Sequence, residues 1–224
     1  MRDVAAVLRK DLRLELRAPQ AVPAMALFAV TTLVVFHFAF QARAVEGPAA
    51  AGVLWVTLLF AAMLGTSRLY VADHEEGGLD GFLLSPADRT AMLVAKVLAM
   101  LLFLVAVELV LLPAFAVLLL GPAPTALEWL QLAGILALAD LGIAIVAAFV
   151  GAIAVQTRAR DLLVPLLALP LLVPVVIGGA EATAPLLAEG GAGALAARWP
   201  LVLALYAGVF GMLSYALFDF LVED

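Results

Sequence analysis

Residues 91–120 read AMLVAKVLAMLLFLVAVELVLLPAFAVLLL, a stretch in which only Lys96 and Glu108 carry charge. A helix of about 20 apolar residues, rising about 1.5 Å per residue, crosses the hydrocarbon core of a bilayer. The whole chain shares this character, because its mean hydropathy is +1.17 and 13% of its 224 residues are charged. A soluble domain carries about 25%. The sequence therefore predicts an integral membrane protein without a separate soluble domain.

Similar apolar runs on both sides of this stretch predict an all-α, polytopic fold. We expect a single membrane domain over residues 1–224, with spans near 22–40, 49–67, 93–120, 128–155, 162–179 and 199–221. The fifth span is short and contains Pro165, Pro170 and Pro174. Proline removes a backbone donor, so neighbouring helices must satisfy the carbonyl groups that this span leaves free.

The positions of lysine and arginine predict how the spans are oriented. One side of the predicted topology holds Arg2, Arg9, Lys10, Arg13, Arg17, Arg68, Arg89, Lys96, Arg158 and Arg160. The other side holds only Arg43 and Arg198. The positive-inside rule places the larger set in the cytoplasm. We therefore expect both termini to be cytoplasmic, as an even number of spans requires.

The N-terminal segment, about residues 1–17, has the periodicity of an amphipathic helix. Its basic residues fall within an arc of about 100°, beside a stripe of apolar residues at i+4 spacing. Asp11 and Glu15 interrupt the apolar side. A basic amphipathic helix binds in the interface of anionic lipid membranes. The alternative is a basic tail that only sets topology, and the two roles are compatible.

Several kinds of chemistry are excluded by the sequence. The chain has no cysteine, so it forms no disulfide and no thiolate metal site. Neither Lys10 nor Lys96 lies in a G-x-x-x-x-G-K-[ST] loop, so the chain does not bind ATP through a Walker A motif. We accordingly expect no enzyme activity, no bound cofactor and no nucleic-acid partner. His37 and His74 fall on opposite sides of the predicted membrane and cannot share a metal.

His37 lies near the outer end of the first span, among Phe36, Phe38 and Phe40. A single histidine can serve as an axial heme ligand. It can equally form a hydrogen bond to a neighbouring helix. The sequence leaves both interpretations open.

Two carboxyl groups lie near the middle of predicted spans, Glu108 in the third and Asp140 in the fourth. An ionised carboxylate at this depth is costly, so each must face the bundle interior, a wet cavity or a partner. One interpretation is a polar lining for a substrate route. The other is a protonated side chain that hydrogen-bonds between helices. Nothing in the sequence shows that the two residues meet.

The loop between the second and third spans, residues 68–92, begins RLYVADHEEGGLDGFLLSP. Its acidic half, DHEE at 73–76, is followed by two glycines. Leu79, Phe82 and Leu83 then recur at the spacing of a short amphipathic helix. Exposed apolar side chains on a loop mark binding sites. This short helix is therefore expected to bind a soluble partner or to pack against the protein's own N-terminal helix.

The arrangement resembles the heme exporter protein B family, the permease subunit of the cytochrome c maturation ABC transporter. The matching elements are LRKDLRLELR at 8–17, the loop at 68–86 with AKVLA at 95–99, and LLVPLLALPLLVPVVIGGA at 162–180. The Leu-Leu-Ser-Pro ending of the family's loop is intact at 83–86. One departure is LALADLG at 136–142, so Asp140 has no role carried over from the family.

The resemblance implies a type-2 ABC exporter permease whose loop carries a coupling helix that docks on a separate ATP-binding subunit. The implied docking residues are Asp73, Glu75, Glu76, Leu79, Phe82, Leu83 and Leu84. It further implies a homodimer of the permease, other cytochrome c maturation membrane subunits as partners, and the bacterial cytoplasmic membrane as the location. Heme is then a substrate.

The expected function is heme export or delivery for c-type cytochrome assembly. No lysine or arginine lies deep in a predicted span to bind heme propionates, which favours driving heme release over conducting heme. The alternatives are a type-2 permease for a lipid or drug, and a membrane assembly factor that transports nothing.

Overall fold

The computed structural model describes residues 2–71, 89–121, 124–155, 157, 159–188 and 198–223. Within these ranges the chain forms seven α-helices, numbered here in chain order. They are α1 (Arg2–Arg17), α2 (Ala21–Ala39), α3 (Gly47–Arg68), α4 (Arg89–Leu118), α5 (Ala126–Val155), α6 (Arg160–Thr183) and α7 (Arg198–Glu223). A 3₁₀ turn, Ala184–Leu187, follows α6 directly.

Helices α2 to α7 are long and apolar enough to cross a membrane, which confirms the predicted all-α fold with six spans. Each of them overlaps the span predicted at its place. Helix α1 is the short amphipathic helix that precedes them. Its location in the membrane interface, and the treatment of the chain as a single domain, stay predictions.

Helices α3 and α5 form the centre of the bundle. Their spans are 67% and 72% buried, whereas those of α2 and α7 are each 22% buried. Helix α5 packs against α4, α6 and α7, and α3 packs against α2 and α6. Small side chains allow helices in a membrane to approach closely. Fully buried alanines of the two central helices include Ala50, Ala51, Ala61, Ala62, Ala144, Ala147 and Ala148.

The contact between α3 and α6 depends on a glycine in the proline-rich segment. A Cβ atom at Gly179 would lie 2.3 Å from the indole of Trp55, so a larger residue does not fit there. The Trp55 Nε1 donates to Thr183 Oγ1 at 2.9 Å, and that hydroxyl donates to the Gly179 carbonyl at 2.8 Å. Gly179 thus lets the only hydrogen-bonding atom of a buried indole reach its acceptor.

Helix α6 is continuous although it contains three prolines. The three prolines leave the carbonyl groups of residues 161, 166 and 170 without their i+4 donors. The Tyr206 hydroxyl of α7 donates to the Leu171 carbonyl, whose i+4 donor is the N–H of Val175. This bond therefore adds a contact between α6 and α7 and does not replace a hydrogen bond that a proline removes.

Contacts between helix ends show that α3 and α4 run in opposite directions. At one end the Val45 N–H, just before α3, donates to the Leu119 carbonyl, just after α4, at 2.7 Å. At the other end Lys96, in the second turn of α4, donates to the Leu69 carbonyl, just after α3. The end that holds Lys96 also holds Arg68 and Arg89, whereas Arg43 lies between α2 and α3 at the opposite end.

Candidate functional site

The loop between α3 and α4 contains the residues predicted to dock on a partner. These residues are Asp73, Glu75, Glu76, Leu79, Phe82, Leu83 and Leu84, and they lie outside the described residues, as does His74. The structure does describe both ends of the loop, at residues 69–71 and from Arg89 onward. Those ends show how the rest of the protein holds the loop.

Lys96 lies at the base of this loop and is only 1% exposed. Its ammonium forms an ion pair with Asp11 of α1, with Nζ 2.9 Å from Oδ2. The same nitrogen donates to the Leu69 carbonyl at 2.9 Å. It also lies 5.0 Å from the centroid of the Tyr70 ring, within the range of a cation–π interaction. One side chain of α4 therefore contacts both α1 and the segment that leaves α3.

The burial of Lys96 requires these partners. A buried ammonium is tolerated when a counter-charge and hydrogen bonds replace the water that it loses. Removing one partner of such a pair leaves an uncompensated charge and costs about 3–5 kcal/mol. Asp11 is itself only 9% exposed, so removing either member of the pair destabilises the fold.

The two acidic residues that interrupt the apolar side of α1 both have structural partners. Asp11 faces Lys96, as described above. Glu15 accepts hydrogen bonds from the backbone N–H groups of Gln20, Ala21 and Val22, at 3.1, 3.3 and 2.9 Å. The first N–H groups of a helix lack partners within it, and a carboxylate at that end also suits the helix dipole. Glu15 therefore caps α2 and fixes the corner between α1 and α2.

Tyr70 extends the network from the loop base to α5. Its hydroxyl donates to the Ala148 carbonyl at 3.0 Å. Its ring lies against Gly151, where an added Cβ would come within 2.8 Å of the ring. Tyr70 is 3% exposed. The loop base is thus held from three sides, by α1, α4 and α5.

Glu108 of α4 and Asp140 of α5 meet in the interior of the bundle. Asp140 is fully buried and Glu108 is 9% exposed, and each carboxyl group lies close enough to influence the other. The structure therefore brings together two residues that the sequence could not connect. Both face the bundle interior, as expected of carboxyl groups at this depth.

The acid pair still has unused hydrogen-bonding capacity. Among the described residues, no hydrogen-bond donor reaches Glu108 Oε1 or either oxygen of Asp140. Buried polar atoms without partners are uncommon in folded proteins and call for an explanation. Within those residues Asp11 Oδ2 also lacks a hydrogen bond of good geometry, but the Lys96 ammonium lies 2.9 Å from it as a counter-charge, whereas Glu108 and Asp140 face each other as two acids.

His37 connects the C-terminal end of α2 to the C-terminal end of α4, at the end of the bundle opposite Lys96. Its Nδ1 lies 2.6 Å from the Leu118 carbonyl, and because a carbonyl oxygen only accepts, Nδ1 is the protonated nitrogen. The ring is half-buried and stacks edge-on against Phe38. The hydrogen bond matches the structural interpretation of this residue. It also leaves Nε2 as the nitrogen that a metal would bind.

Sequence reasoning missed the network around Lys96. The one signal was a lysine at the head of an apolar run, together with an acid on the apolar side of an amphipathic helix 85 residues earlier. Periodicity shows that each residue is out of place in its own helix. It does not show that the two residues pair, because that depends on how α1 packs on α4.

Comparison with known proteins gives consistent matches over most of the chain. A family model described as "CcmB protein" matches residues 2–221. The chain is 37% identical over 206 residues to heme exporter protein B of Rhodobacter capsulatus, covering 91% of this chain and 89% of that protein. The identity is 37% over 182 residues to the Paracoccus denitrificans protein of the same name, covering 79% and 80%. It is 33% over 189 residues to the Bradyrhizobium diazoefficiens protein of that name, covering 82% of each.

Proposed function

Because the chain belongs to the CcmB protein family, we propose that it is the permease subunit of an ABC transporter complex that exports or delivers heme for assembly of c-type cytochromes. The observation that carries this proposal is the match over residues 2–221, together with relatives that are named heme exporter protein B. The family resemblance inferred from the loop at 68–86 is thereby confirmed. No observation favours a lipid, a drug or a purely structural role.

The proposed energy source is a separate ATP-binding subunit that docks on the loop between α3 and α4. Two features support this assignment. The chain has no Walker A motif, and the described ends of the loop are tied by Lys96 and Tyr70 to three helices. A loop held this way transmits force instead of yielding to it. The proposed docking residues are the acidic cluster at 73–76 and the apolar set Leu79, Phe82, Leu83 and Leu84.

The proposed location is the bacterial cytoplasmic membrane, with both termini in the cytoplasm. Six apolar helices support a multi-pass membrane protein. The end of the bundle that holds Arg68, Arg89 and Lys96 is assigned to the cytoplasm by the positive-inside rule. Helix α1 then lies at the inner membrane surface, where its exposed basic residues face lipid headgroups. A homodimer and contacts with other cytochrome c maturation subunits complete the proposed assembly.

We favour a role in driving heme delivery over conduction of heme through this subunit. Heme propionates need a cation along their route, and Lys96 is already paired with Asp11. Within this proposal the Glu108–Asp140 pair connects α4 to α5 and His37 connects α2 to α4. Both are then parts of the moving scaffold, and neither binds heme.

The decisive test replaces the cell's own copy with this chain carrying Phe82→Asp and measures holo-cytochrome c by heme staining. Membrane level and co-purification of the ATP-binding subunit are recorded in parallel. We expect holo-cytochrome and the bound ATPase to fall by about tenfold or more at normal membrane level, since an unpaired charge in a docking surface costs several kcal/mol.

Phe82→Leu is the matched control, because it keeps an apolar side chain and should retain both signals. Normal cytochrome with the ATPase still bound would remove the loop from the mechanism. Loss of the ATPase with normal cytochrome would point to another substrate.

A further inference from the structure

We propose that Lys96 is the positioning residue that makes α1 a moving part of the transport cycle, through its buried ion pair with Asp11. The proposal rests on the function proposed above. Helix α1 would otherwise be an anchor that only holds the chain at the membrane surface. The structure instead pairs Asp11 of α1 with Lys96, the side chain that also donates to the Leu69 carbonyl at the loop base.

The geometry of the Lys96 ammonium carries this inference. Asp11 Oδ2 and the Leu69 carbonyl each lie 2.9 Å from Nζ. The first partner belongs to α1 and the second to the backbone at the start of the loop. A displacement of Leu69 by a docked ATPase therefore acts on the same atom that pairs with α1. Opposite charges in a buried site attract strongly at short range, so α1 follows Lys96 when the loop base moves.

The corner between α1 and α2 extends this path into the membrane. Glu15 accepts three backbone N–H groups at the start of α2, so a shift of α1 also displaces the end of α2. Tyr70 carries the same displacement to α5 through its hydrogen bond to the Ala148 carbonyl. Movement at the loop base thus reaches α1, α2, α4 and α5 through one ion pair and through hydrogen bonds between side chains and backbone groups.

A purely structural ion pair would look similar in a static structure, so the test must separate stability from coupling. The key variant is Asp11→Asn/Lys96→Met, which replaces both charges by neutral side chains of similar size. Neutral replacement of a buried pair is tolerated by many proteins. We therefore expect this double variant to fold, to reach the membrane and to bind the ATP-binding subunit.

The proposal predicts that this variant separates ATP hydrolysis from heme delivery. Loss of a coupling of about 1.4 kcal/mol corresponds to about a tenfold change. We expect holo-cytochrome c in cells to fall about tenfold. ATP hydrolysis by the purified complex should stay within about twofold of the wild type, because the ATP site belongs to the other subunit.

Two single variants serve as controls. Lys10 is the other lysine of the chain and also lies near Asp11, at 3.4 Å from Oδ1, but its side chain is 44% exposed. Lys10→Met should leave both readouts unchanged, because exposed ion pairs contribute little. Lys96→Arg keeps the charge and the donors, and should retain most of the heme delivery.

The outcomes are distinct. Wild-type heme delivery by the double variant overturns the coupling proposal and leaves the proposed function intact. Loss of ATP hydrolysis in proportion to heme delivery also overturns it, because the pair would then only hold the complex together. If the wild-type chain itself restored no cytochrome, the proposed function would be wrong and this inference would fall with it.

Discussion

Helix α4 carries two buried polar sites that solve the same problem in different ways. Lys96 and Glu108 are twelve residues apart, about 18 Å along the helix axis. Lys96 pairs with an acid and donates to a carbonyl group. Glu108 instead faces another acid, Asp140, and oxygens of both residues lack a hydrogen-bond donor in the described part of the chain.

The difference teaches what each site can do. The Lys96 ammonium has both a counter-charge and a carbonyl acceptor, so a displacement of either partner acts on the same atom. Two facing acids have no such attraction when both are ionised. The first site therefore suits a permanent mechanical connection. The second suits a contact that depends on what else approaches it.

The largest expected effect breaks the first site. Lys96→Met removes the buried counter-charge of Asp11 and leaves only the exposed Lys10 beside it, so the unfolding free energy should fall by about 3–5 kcal/mol. Thermal or denaturant unfolding of the purified protein in detergent measures this loss. Asp11→Asn/Lys96→Met should recover most of it, because no buried charge remains. Equal losses in the single and double variants would show that the pair is not what stabilises this region.

The next effect tests the second site. Asp140→Asn places an amide donor beside Glu108 and removes one of the two facing acids. Its unfolding free energy should change by less than about 1 kcal/mol, and holo-cytochrome c should stay near the wild-type level. Asp140→Leu is the contrasting variant, since it removes the polar group that faces Glu108. A strong loss of heme delivery in Asp140→Asn at normal stability would instead favour a polar substrate route.

Hydropathy alone was sufficient to predict the six spans. Each span is a long apolar run, and the bilayer thickness fixes how many residues such a run needs. Even α6, with Pro165, Pro170 and Pro174, is a continuous helix. The fold class therefore follows from local composition, which can be read from a single sequence.

The polar sites were only partly predictable from the sequence. Glu108 and Asp140 stood out because a carboxyl group in an apolar run is rare, but their contact depends on the packing of α4 on α5. Asp11 looked like a defect of an amphipathic pattern until α1 was placed against Lys96. Partner choice is a property of tertiary packing, and no periodicity within one helix encodes it.

A smaller effect concerns Tyr70, which connects the loop base to α5. Tyr70→Phe removes the hydroxyl that donates to the Ala148 carbonyl at 3.0 Å but keeps the ring against Gly151. The loss of one neutral hydrogen bond should lower the unfolding free energy by about 1 kcal/mol. Gly151→Ala makes the stronger test of the same contact, because its Cβ would displace the ring. A Gly151→Ala variant as stable as the wild type would show that the ring does not lie there.

The smallest effect on stability is expected for Lys10, the exposed lysine next to the Lys96–Asp11 pair. Lys10→Met removes the half-exposed lysine beside Asp11 and should change the unfolding free energy by about 0–1 kcal/mol. Solvent screens this pair, and the two long, mobile groups lose entropy when they are held together. The same unfolding assay used for Lys96→Met measures both lysines against one shared acid. A similar loss for both variants would mean that proximity to Asp11, and not burial, decides the energy, and the contrast between the two sites of α4 would then lose its physical basis.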